Sequence, residues 1–107
     1  MTHLLLIKVR KVEYKEDVVL ALQSAGIEKA SYITSFNLDQ ELNDEFPMFA
    51  GFFKSQMDRE KEGVMIFAGV EDKDQAKEFV DILSASIEAL KEEGILQVYL
   101  IPVEDLL

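Results

Sequence analysis

The chain has 107 residues, 49% of them hydrophobic, enough for one domain with a single thin core. It carries 21 acidic against 11 basic residues, a formal net charge of −10. That balance opposes nucleic acid and anionic lipid as partners, since both are held mainly by Lys and Arg. There is no cysteine, which excludes a disulfide framework, a thiolate nucleophile and a thiolate metal site.

The apolar start, Met1 to Ile7, runs into Lys8, Arg10 and Lys11, the reverse order to a secretory signal. No uncharged stretch is long enough to cross a bilayer, so a cytoplasmic protein without direct membrane insertion is expected. Leu4 to Val12 predicts a strand, solidly apolar at first and then alternating, which suits a central position in a sheet. Lys15 to Ala25 predicts a helix with Val18, Val19, Leu22 and Ala25 on its buried face, and Gly26 as the residue that ends it. Ala30 to Leu38 alternates and is rich in β-formers.

Val64 to Val70 is nearly all apolar and predicts a buried strand bounded by Gly63. Asp72 then caps the longest helix, with Gln75 three residues on as a capping box requires. Its expected stripe is Ala76, Phe79, Val80, Leu83, Ile87 and Leu90, with Gly94 ending it. Ile95 to Ile101 is the last strand, stopped by Pro102. The order predicts an α+β, ferredoxin-like βαββαβ sandwich: a four-stranded antiparallel sheet with two helices on one face. The other face needs a cover, and a second copy of the chain would supply one.

The segment from Asp39 to Glu62 is far longer than the hairpin loop usual at this point. Its ends are charged and its middle, Phe46 to Phe53, is apolar. Phe46, Met48, Phe49, Phe52 and Phe53 either pack back on the protein or form a docking patch for a protein partner. Asp39, Glu41, Asp44 and Glu45 do not follow the spacing of a calcium loop, so no metal site is expected. His3 is the only histidine and is expected to be structural. No nucleophile motif, phosphate loop, dinucleotide fingerprint or zinc spacing appears, so an enzyme is not expected and no cofactor is indicated.

This layout resembles the PII signal-transduction family over nearly the whole chain. The resemblance rests on the element order, on Ala25-Gly26-Ile27-Glu28 before the second strand, on the long central loop, and on Ile101-Pro102-Val103-Glu104-Asp105 after the last strand. It implies a homotrimer with three sheets facing inward, adenine nucleotides or another small molecule in clefts between subunits, and long loops that touch target proteins in nitrogen regulation. Carried onto this chain, the cleft contacts would be Asn37, Leu38, Asp39, Lys61 and Gly94, and the target contacts would be the loop phenylalanines with Met48. The glycine-rich loop base of the family reads Asn37-Leu38-Asp39-Gln40 here, and its second phosphate loop reads Lys91-Glu92-Glu93-Gly94. The added carboxylates would repel phosphate, so weak ATP binding is expected. The competing expectation is a small ferredoxin-like αβ-barrel enzyme, or a ligand- or metal-binding module without a signalling role, for which a dimer would be the usual state.

Overall fold

The computed structural model describes residues 3–38, 62–87 and 94–107. Its first strand, β1 (His3–Val9), buries Leu5, Ile7 and Val9 and turns Leu4, Leu6 and Lys8 to the opposite face, where they are half-buried. The strand ends at Val9 and not at Val12, because Val12–Tyr14 winds into a short 3-10 turn that leads into α1 (Lys15–Ser24). α1 buries Val18, Ala21 and Leu22. Gly26 closes it with φ +76°, a left-handed conformation that side chains disfavour, and the Ile27 N–H then donates to the Leu22 carbonyl at 2.9 Å.

Strand β2 (Ala30–Phe36) pairs antiparallel with β3 (Glu62–Val70). β3 pairs with β1, and β1 pairs on its other side with β4 (Leu96–Pro102), all antiparallel. The strand order is therefore β2-β3-β1-β4. β1 and β2 run parallel to each other with β3 between them, and β3 and β4 run parallel with β1 between them. Each strand–helix–strand unit thus encloses a strand of the other.

The second helix, α2 (Lys73–Ser86), starts as its sequence predicts. The Gln75 N–H donates to Asp72 Oδ1 at 2.9 Å. The Gln75 side chain accepts from the Glu71 N–H at 3.2 Å, one residue earlier than the usual reciprocal bond of a capping box. Its amide also donates to the Gly26 carbonyl at 3.1 Å, tying the end of α1 to the start of α2.

The helix ends at Ser86, sooner than the expected stop at Gly94. Ser86 Oγ donates to the Ile82 carbonyl at 3.0 Å, a local bond that competes with the helix ladder, and Ile87 turns extended and buries itself. Ala76, Phe79 and Leu83 form the buried stripe, whereas Val80 is 39% exposed on its flank. Leu90 lies outside the described residues.

Both helices pack on the face that carries Leu5, Ile7, Val9, Val64, Ile66 and Val70, and the buried side chains form one cluster around fully buried Phe79. The opposite face has no helix over it among the described residues. None of the described helices is long and apolar enough to cross a membrane.

Gly63 lies inside β3, not at its boundary. A Cβ there would stand 2.5 Å from the Val9 carbonyl oxygen and 3.4 Å from Arg10 Cα. Backbone cannot yield as a flexible side chain can. Gly→Ala within a strand ordinarily helps by reducing the freedom of the unfolded chain. Gly63→Ala is expected to destabilise instead, by about 1–3 kcal/mol, read as a lower urea midpoint at unchanged slope.

Candidate functional site

The site predicted from sequence falls at one end of the sheet, where β2 leaves for the long connection, β3 returns, β1 ends and β4 begins. Phe36 pairs with Glu62, Ser35 with Gly63, and Val9 with both Val64 and Leu96. Two hydrogen bonds run across this end. Asn37 Nδ2 donates to the Arg10 carbonyl at 3.1 Å, and the Arg10 N–H donates to the Ile95 carbonyl at 2.9 Å. The base of the connection is thus linked, through the end of β1, to the residue beside Gly94.

The five expected ligand contacts are placed very differently. Asn37 is 5% exposed and its amide is directed into the protein, onto Arg10. Leu38 is 76% exposed at the rim. Gly94 is exposed with φ +86°, and no described residue outside its chain neighbours lies within 4 Å of the position a Cβ would take. Asp39 and Lys61 lie outside the described residues, as do Phe46, Met48, Phe49, Phe52 and Phe53. Asn37 and Gly94 stand at opposite edges of the sheet, with β3 and β1 between them. Three strand spacings separate the edges, about 14 Å. Asn37 nonetheless reaches inward to the end of β1, so that its amide and the Ile95 carbonyl both bond to the Arg10 backbone.

Two cations passed over as site residues in the sequence reading occupy the ground between the halves. Arg10 and Lys11 directly follow β1, and both are half-buried. The signal was present in the sequence as two basic residues at the end of a central strand, but only the sheet order shows that this strand divides the site. His3 pairs with Val70 and Pro102 at the far end of the sheet, remote from this region. Among the described residues no three His, Asp or Glu side chains converge as a metal site would require.

One further polar contact lies on the helix side of β2. The Lys15 ammonium sits 3.7 Å from the centroid of the Tyr32 ring. Hydrogen bonding and charge attraction from Lys15 hold the Tyr32 phenol below its ordinary value of 10.0. Tyr32 is 52% exposed, so the contact is solvent-screened. A phenol lowered in the folded state adds its stability in full above the pH where the unfolded phenol ionises, and that gain is lost as pH falls through the folded value.

Two measurements follow from this geometry. In an ultraviolet titration of the three tyrosines, Tyr32 is expected to ionise below the ordinary phenol value, and Lys15→Met to return it upward. Asn37→Ala is expected to cost about 1–3 kcal/mol in denaturant unfolding, because it removes a buried amide and the bond it donates to the part-buried Arg10 carbonyl. A residue held only for ligand contact would leave that stability unchanged. Turning to comparisons, no protein-family model matches this sequence, and a search of curated proteins gives no match.

Proposed function

We propose that this protein is a PII-like regulator: a cytoplasmic, non-enzymatic homotrimer that senses a small molecule in clefts between subunits and acts on a protein partner through residues 39–61. The whole chain, 1–107, is one domain in this reading. Its fold is the ferredoxin-like βαββαβ sandwich, and the order β4-β1-β3-β2, read from the other edge of the sheet, supports it.

The observation that carries the proposal is the sheet face that no described helix covers. Leu4, Leu6, Met65 and Phe67 lie half-buried on it, and Ile33 and Tyr99 are 54% and 49% exposed. Apolar surface left in water costs about 25 cal/mol per Å². Further copies of the chain cover such a face and leave the helices outside. The exposed Leu38 and Gly94, beside the two outer strands, suit a cleft shared between copies. Lys11, beside the end of β1, favours an anionic ligand in that cleft, and the connection from Leu38 to Glu62 leaves from its rim.

Light scattering on a sized sample is expected to give three times the chain mass of 12.2 kDa. A monomer overturns the proposal, and a dimer turns it toward the small αβ-barrel module. Removing Asp44 to Ser55 and closing the gap with glycines is expected to abolish partner capture while leaving assembly and melting temperature intact. Loss of the trimer would instead make the phenylalanines part of the core.

A further inference from the structure

The sheet face that no described helix covers has one charged strand residue, Lys8. The register sets this out row by row. Lys8 is level with Met65, Ile33 and Gln97, and Leu6 is level with Phe67, Ser31 and Tyr99. The chain has 21 acidic residues against 11 basic ones, yet the face carries a cation and no carboxylate from any strand. Glu62 is the one acidic strand residue, and it pairs with Phe36 on the helix face. Lys8 is half-buried, and its side chain has no ion-pair partner among the described residues.

We infer that three copies bring their Lys8 ammonium groups together around the common axis, and that this ring binds one small multivalent anion of the phosphate or tricarboxylate class. The inference rests on the homotrimer proposed above and gives it an anion site apart from the clefts between subunits. No single copy holds this site, because each supplies one cation to it.

The placement follows from strand order. β1 and β3 are the two inner strands of the sheet. When three such sheets turn this face inward, side chains of the inner strands come nearest the axis. Identical copies related by rotation present identical faces. What Lys8 meets from its neighbours is therefore uncharged strand residues and two further copies of Lys8. Three like charges withdrawn from water repel one another, and the repulsion grows as the surroundings become less polar. The lysine stem can lie along Leu6 and Met65 while its ammonium seeks a polar partner. A multivalent anion on the axis answers all three ammonium groups at once, which chloride with its single charge does not. Gln97, the cross-strand partner of Lys8, adds an amide donor at the same level.

Titration calorimetry with citrate and with inorganic phosphate, at constant ionic strength in a chloride background, tests the site. The expected stoichiometry is one anion per three chains, with a melting temperature raised above that in chloride alone. Lys8→Met keeps an unbranched apolar stem and removes the charge. It is expected to retain three chain masses, to lose the anion response, and to melt above the unaltered protein in chloride. Lys8→Arg is expected to keep the response, as is Lys29→Met, which removes one exposed positive charge elsewhere. One anion per chain would place the binding in the clefts and overturn the inference. So would a Lys8→Met protein that melts lower in chloride, since Lys8 would then be paired with a carboxylate of another copy. If neither anion binds while light scattering still gives three chain masses, the axial site is wrong and the trimer stands. A single chain mass removes both.

Discussion

β1 is paired along its whole length on both sides, and the rest of the molecule is arranged around that fact. Its alternation commits Leu5, Ile7 and Val9 to the helix face, because a slip of one residue would turn all three to the other side. The register of β3 and β4 follows from it, and β2 is placed through β3. The helices then have one face to cover, and Phe79 fills the space between them and the sheet. The bonds at the end of β1 carry the same constraint outward, since Arg10 fixes both the start of the long connection and the approach to β4.

Much of the fold could be read from the residues because periodicity and punctuation agreed. The β-formers of Ala30 to Phe36, the Asp72 cap and the glycine at 26 each have a local physical cause. The errors came where tertiary contact overrode local pattern. Val9 to Val12 looks like strand, but the chain leaves the sheet to enter α1. Gly63 looks like a terminator, but it is a point of close backbone approach inside a strand. Ile87 continues the helical spacing, yet burial draws it out of the helix.

The candidate site was legible in a different way. The sequence places Asn37 and Gly94 next to loops, and both do lie at the loop end of the sheet. It does not reveal that one is buried and bonded while the other is exposed, because this depends on the distance between elements. Nor does it reveal that Arg10 and Lys11 divide them. Strand order is a long-range property, and a residue's distance along the chain says little about its distance across a sheet.

The interleaving of the two strand–helix–strand units has a consequence for damage to the backbone. A protease that cut between residues 39 and 61 would produce an amino-terminal piece with β1 and β2 and a carboxy-terminal piece with β3 and β4. Each piece would hold a gap filled by a strand of the other: β3 lies between β2 and β1, and β1 lies between β3 and β4. Neither could complete a sheet alone, and separating them would break the β1–β3 and β2–β3 ladders and the β1–β4 ladder together. The Gln75 bond to Gly26 would add a clasp on the helix side. The nicked protein would behave as a tightly held two-piece complex, so a cut in the central connection would sever the chain without dismantling the domain.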